Sequence, residues 1–110
     1  MTTVYVIQDG VNNYYVGITD HYVQRMTEHK LRKVKATANM VSPRQVVHKW
    51  QCPNRIAAAQ LESFLHKSMG GHIASESKCS ILLELILDCP MYCEQIKQAT
   101  AHIKIKDFAF

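Results

Sequence analysis

A chain of 110 residues, 47% of them hydrophobic, can enclose one apolar core but hardly two, because a small domain leaves much of its surface in water. A formal charge of +4 and a pI of 8.9 permit an anionic partner without demanding one, since the excess is small and spread along the chain. The longest apolar run, Ile81 to Leu87, is broken by Glu84 and falls far short of the roughly 20 residues of a membrane span, and no apolar stretch follows a basic segment at the start, so a soluble, cytoplasmic protein is expected.

In chain order, Val4 to Gln8 and Tyr14 to Ile18 are β-branched and aromatic runs, with Asp9-Gly10 and Asn12-Asn13 between them, the signature of a β-hairpin. Gly17, inside the second run, marks a place where backbone or ligand approaches closely. From Asp20, an N-cap residue type, a helical pattern begins in which Val23, Met26 and Val34 cluster on one side, and Arg25, His29 and Arg32 lie on the other. Lys35 to Pro43 is polar and ends in proline, a loop leading into a third strand over Gln45 to Cys52. Asn54 caps a second helix that runs to Met69, with Ala57, Leu61, Phe64 and Leu65 as its apolar stripe and Gly70-Gly71 as its stop. Beyond residue 72 the pattern is less decided. Ile81 to Leu87 reads as helix or buried strand, Cys93 to Ile103 as helix, and Ile103, Ile105 and Phe108 as a short edge strand. The four cysteines (Cys52, Cys79, Cys89 and Cys93), without a secretory signal, read as reduced thiols, mostly filling the core.

Glu62 lies about 80 to 100° from the centre of the second helix's apolar stripe, at a border where a carboxylate is partly desolvated. Such a glutamate can face a solvated edge, pair with an arginine, or ligate a hard divalent cation. Arg25 and His29 are one turn apart, and an arginine so placed suits a phosphate because its planar fork donates two parallel hydrogen bonds. Taken separately, these residues fit a solvated helix face as well as a site, and Tyr5, Tyr14 and Tyr15 fit ordinary strand positions.

Their order along the chain is more specific. Thr3-Val4-Tyr5, then Tyr15-Val16-Gly17, then Arg25 and His29 on the next helix, and Glu62 on a helix that follows a strand, together resemble the signature of the GIY-YIG nuclease superfamily over residues 3 to about 69. That resemblance implies an α/β sandwich, a three-stranded antiparallel sheet flanked by helices, within a single domain of residues 1–110. A core of 3–69 would carry a C-terminal helical extension over 72–110. It also implies a metal-dependent endonuclease that cuts phosphodiester bonds in nucleic acid, with DNA as the expected substrate. Tyr5, Tyr15, Arg25, His29 and Glu62 would be catalytic, with Glu62 holding one Mg2+ or Mn2+ ion, Arg25 gripping the phosphate and Tyr15 favoured as the base toward water. Further nucleic-acid contacts are expected from Gly17, Arg32, Lys35, Arg44 and Lys49. Three positions depart from the family pattern: Thr3 replaces a glycine, Ile18 stands where some members carry a basic residue, and no asparagine follows Glu62.

Two other readings compete. One keeps the fold as a nucleic-acid- or protein-binding module with weakened catalysis. The other uses His72, Cys79, Cys89 and Cys93 for a structural zinc ion, with Cys89 and Cys93 within tolerated ligand spacing but His72 and Cys79 poorly spaced. The C-terminal segment, with Met91, Tyr92, Ile96, Ile103 and Phe108, is expected to complete the core, cover a sheet edge or make a homodimer contact.

Overall fold

Asp9 organises the first turn of the chain. In the computed structural model, which describes residues 1–69, 73–75, 97–99 and 101–104, its carboxylate accepts hydrogen bonds from the backbone N–H groups of Val11 (3.0 Å) and Asn13 (2.8 Å). The same carboxylate takes the Asn13 side-chain amide at 3.2 Å and the distant Val41 N–H at 3.2 Å. Asn12 adopts φ 60, a left-handed conformation that its short polar side chain tolerates. The turn joins β1 (Thr2–Gln8) to β2 (Asn13–Thr19) in an antiparallel register that sets Tyr5 opposite Gly17 and Ile7 opposite Tyr15.

β3 (Gln45–Cys52) pairs antiparallel with the other side of β1, so β1 becomes the central strand, with Val4, Tyr5, Val6 and Ile7 at most 1% exposed. The register slips between Val6 and Ile7, opposite His48 and Val46, so Val47 is the extra residue of a bulge. Two further strands extend the sheet, β4 (Ile73–Ser75) beside β2 and β5 (Ala101–Lys104) beside β3, giving the order β4-β2-β1-β3-β5. Among the described residues the sheet therefore has five strands where three were expected. The helix expected to reach Ile103 gives way to β5 from Ala101 onward; the remaining expectations for 76–96 and 105–110, the zinc ligands His72, Cys79, Cys89 and Cys93 and the Gly70-Gly71 stop fall outside the described residues.

Strand alternation divides the core into two layers. Val4, Val6, Tyr14, Val16 and Trp50 pack with Ala57, Ala58, Leu61 and Leu65 of α2 (Arg55–Met69) on one face. Tyr5, Ile7, Tyr15 and Val46 pack with Met26 and Tyr22 of α1 (Tyr22–Lys30) on the other. The Asn54 side-chain oxygen caps α2 through the Ala57 N–H at 2.8 Å, as its sequence position suggests.

α1 differs from its expected form at both ends. Its N-cap is His21, which makes no side-chain capping bond, while Asp20 instead accepts from the Thr2 hydroxyl at 2.6 Å and from Arg55 at 2.9 Å. The helix stops at Lys30, four residues short of Val34, because Arg32 takes φ 57 and its guanidinium binds the Ala38 and Met40 carbonyls (2.7 and 3.0 Å) across the following loop. Val23 is 74% exposed and His29 is 0% exposed, so the buried face is the one through Tyr22, Met26 and His29 rather than the one through Val23.

Candidate active site

The α1 face of the sheet gathers most of the residues the sequence singles out. Tyr5 from β1 and Tyr15 from β2 point to the same face with ring centroids 6.2 Å apart, and the His29 ring lies edge-on to both at 5.5 and 5.7 Å. The Tyr5 hydroxyl is 2.8 Å from His29 Nε2, and Arg25 and Tyr15 act on it electrostatically. Gly17 is what makes this possible. A Cβ there would stand 2.3 Å from both the Cζ and the hydroxyl of Tyr5, so the absence of a side chain leaves the ring its place. The close approach that a glycine inside a strand signals is therefore that of the Tyr5 ring.

Electrostatics separate the members of this cluster. Burial pushes the Tyr5 phenol above its ordinary range, with Tyr15 adding to the shift, and the opposing effect of Arg25 does not cancel it. Burial, together with the Arg25 and Arg44 charges, lowers His29 to about 4, so the ring is neutral near pH 7. On Arg25 burial disfavours the charge, but Tyr5, Tyr15 and Glu28 outweigh it, and the guanidinium stays protonated. Its ion pair with Glu28 is loose, at 3.8 Å between side chains about a third exposed, and adds little.

Around this core the expected contact residues divide. Lys49 sits directly opposite Tyr5 in the β1–β3 register, with its Nζ 4.2 Å from the Tyr22 ring centre, so a second cation borders the cluster. Arg44 is 2% exposed and spends its guanidinium on the His29 carbonyl at 2.9 Å; it braces the end of α1 from inside and is not placed to touch a nucleic-acid backbone. Arg32 is exposed but engaged in holding the 38–42 segment, with Ser42 Oγ at 3.1 Å as a third partner, while Lys35 is exposed in the loop.

Glu62 belongs to the helix on the opposite sheet face, yet it lies on one flank of that helix. Arg55, Glu62 and His66 are spaced by seven and four residues and so form one stripe. Arg55 reaches Asp20, just past the end of β2, and His66 reaches the Val16 carbonyl at 3.2 Å. Glu62 lies between these two anchors, on the flank of α2 toward the end of β2, where Gly17 and Ile18 have no β4 partner among the described residues because β4 pairs with Asn13 to Tyr15. The carboxylate is half-buried and has no hydrogen bond or ion pair among the described residues. A groove of about 250 Å³, lined by Ile18, Thr19, Gln24, Arg25, Glu28 and Arg55 among others, opens at the Arg55 end of this stripe, and Glu62 does not line it.

One member of the cluster gave no signal in the sequence. Thr37, 0% exposed in the loop after α1, places its hydroxyl 2.7 Å from His29 Nδ1, and a threonine in a polar loop has no periodicity to announce such a contact.

Comparison with curated proteins and with solved structures finds no match. A family model described as the GIY-YIG catalytic domain matches residues 1–70, the span that holds both tyrosines, Arg25, His29 and Glu62. With well over half of its length matched, and with two phenols, a guanidinium and an imidazole gathered on one sheet face of that span, the chain belongs to the GIY-YIG family of nucleases.

Proposed function

We propose that this protein is a metal-dependent endonuclease acting on phosphodiester bonds of DNA inside the cell, with Tyr15, Arg25 and Glu62 in the leading roles. The observation that supports this reading most is the meeting of Tyr5, Tyr15, Arg25 and His29 on one side of the sheet, beside a groove lined by Arg25. The Arg25 fork can bind a non-bridging pair of phosphate oxygens, placing positive charge where negative charge gathers as water attacks.

Of the two phenols, Tyr15 is the better base. Tyr5 is 0% exposed, and burial resists its ionisation, whereas Tyr15 keeps 8% of its surface open. Tyr5 then serves as a hydrogen-bond partner that orients Tyr15 and links it to His29. Glu62, half-buried and with no ion pair among the described residues, fits a hard divalent ion that takes one protein carboxylate and keeps most of its waters. Glu62 would hold that ion, Mg2+ or Mn2+, which supplies Lewis-acid stabilisation of charge on the phosphate. Among the described residues no three of His, Cys, Asp and Glu come together, so the fit is to this single-carboxylate arrangement.

Incubation of the full chain with supercoiled plasmid, single-stranded DNA and RNA, in Mg2+, Mn2+ or chelator, tests the reading. Cleavage of DNA that stops with chelator and with Glu62→Ala, while Glu62→Ala still binds DNA, is the expected result. Undiminished cutting by Glu62→Ala would rule out the proposed metal ligand, and binding without cutting by the wild-type chain would mark it as a binding module.

A further inference from the structure

The hydrogen bonds behind the two phenols form a chain with a definite polarity, and that polarity is set at its buried end. The Tyr5 oxygen has one proton and two lone pairs, and its close partner is His29 Nε2 at 2.8 Å, with Arg25 and Tyr15 acting on it electrostatically. Either the Tyr5 proton makes that 2.8 Å contact or a proton on Nε2 does. If the Tyr5 proton is to point at Tyr15, the contact must be made by a proton on His29 Nε2. A neutral imidazole has only one such proton, which requires a bare Nδ1.

Nδ1 faces Thr37. The Thr37 hydroxyl lies 2.7 Å from Nδ1 and 3.4 Å from the Val34 carbonyl, and that carbonyl already accepts the Thr37 N–H at 3.1 Å. The hydroxyl proton therefore has a short path to Nδ1 and only a long, redundant one to Val34. Both His29 and Thr37 are 0% exposed, so no bulk water competes for either site.

We propose that Thr37 is a positioning residue for the reaction: by donating its hydroxyl proton to His29 Nδ1 it fixes the Nε2–H tautomer, which turns the Tyr5 hydroxyl toward Tyr15. The consequence for catalysis rests on the reading of Tyr15 as the base. A phenolate on Tyr15 needs a donor, and Tyr5 so turned is that donor, stabilising the ionised form that takes a proton from water. Arg25 and Tyr22 from α1, Arg44 at the His29 carbonyl and Lys49 from β3 face the same cluster, and a change at Thr37 alone replaces none of them.

Two measurements on the full chain test this. Nitrogen-15 NMR of the imidazole at neutral pH, with the His29 signals assigned by their loss in His29→Gln, reports the tautomer directly and requires no activity. The wild-type protein and Thr37→Ser should show a protonated Nε2 and a hydrogen-bonded bare Nδ1, and Thr37→Val should shift population to the Nδ1–H form. In plasmid cleavage with Mg2+, Thr37→Val should move the acidic limb of the kcat profile up by about one pH unit, with Thr37→Ser restoring it. A wild-type His29 protonated at Nδ1, or a tautomer unchanged in Thr37→Val, would overturn the proposal whatever the cleavage data show. Should the tautomers come out as expected while no variant and no wild-type preparation cuts any substrate, the positioning of His29 by Thr37 stands and the nuclease reading falls.

Discussion

Gly17 faces Tyr5 across the β1–β2 ladder, and the Tyr5 ring fills the space where any larger residue's Cβ would be. The obstruction is the ring carbon Cζ as much as the hydroxyl, each 2.3 Å from the position of an added Cβ, so removing the oxygen would not relieve it. Gly17→Ala is expected to push the ring off His29, to destabilise the fold by about 1 to 3 kcal/mol as overpacking does, and to cut cleavage at least tenfold. Urea unfolding beside plasmid cleavage checks this. A stable, fully active Gly17→Ala protein would show that the position of Tyr5 is not fixed by the gap at residue 17.

The same pair shows what the sequence could and could not reveal. A glycine inside a β-branched run signals close approach, but the partner depends on register, and register depends on a turn held by Asp9 together with distant Val41. The hairpin, β3 and α2 were legible because each carries a clean local period and a turn or cap residue at its boundary. The buried face of α1 was not. Arg25 and His29 look alike on a helical wheel, yet the sheet claims Tyr22, Met26 and His29 and leaves Val23 exposed, a choice made by tertiary packing alone. Arg44 was misread for a related reason: a charged residue beside a proline looks like surface, and only the His29 carbonyl waiting at the end of α1 explains its burial. Strands β4 and β5 have three and four residues, too few for any periodicity to be seen.

His29 should make stability depend on pH in a particular window. Its folded value of about 4 lies below the ordinary 6.5 because burial, Arg25 and Arg44 all disfavour the imidazolium. Above 6.5 the ring is neutral in both folded and unfolded chains, and the full stability is present. Between 6.5 and 4 only the unfolded chain takes up the proton, so stability falls as pH falls, by at most about 3 kcal/mol, and below 4 this loss levels off. Urea midpoints measured across that range should decline for the wild type and be flatter for His29→Gln. Equal slopes for the two proteins would show that His29 is not the titrating group.

Asp9 governs a separate and lower window. Burial opposes its charge, but the bonds from Asn13, Val11 and Val41 outweigh that cost and hold the carboxyl below its usual 3.8. Its contribution is therefore complete above 3.8 and is lost only as pH drops further, clear of the His29 range. Asp9→Ala removes the acceptor for three backbone N–H groups and leaves the 41 segment tied to the hairpin by the Gly10 N–H to Val41 carbonyl bond at 2.7 Å, with an expected cost of about 2 to 3 kcal/mol. Faster amide exchange at Val11, Asn13 and Val41 should accompany it. Exchange that accelerates only at Val11 and Asn13 would mean that the link to Val41 has no part in holding the loop.

Arg25 separates geometry from charge. Its side chain is about a third exposed, interacts electrostatically with Tyr5 and lines the groove at the end of β2, so one planar group serves both the phenol cluster and the groove. A lysine keeps the charge but has a single nitrogen on a flexible stem, and cannot hold Tyr5 while presenting a second pair of donors to a phosphate. Arg25→Lys is therefore expected to lower kcat by about 10² to 10³, the scale of losing one donor to developing charge, with DNA affinity within about threefold of the wild type. Arg25→Ala should lower both, because the cation itself is gone. Neither variant should shift the urea midpoint by more than about 1 kcal/mol equivalent, since the side chain is partly solvated and its ion pair with Glu28 is loose. If Arg25→Lys cuts at the wild-type rate, a point charge suffices at this position, and the two-sided role assigned to the guanidinium fork is wrong.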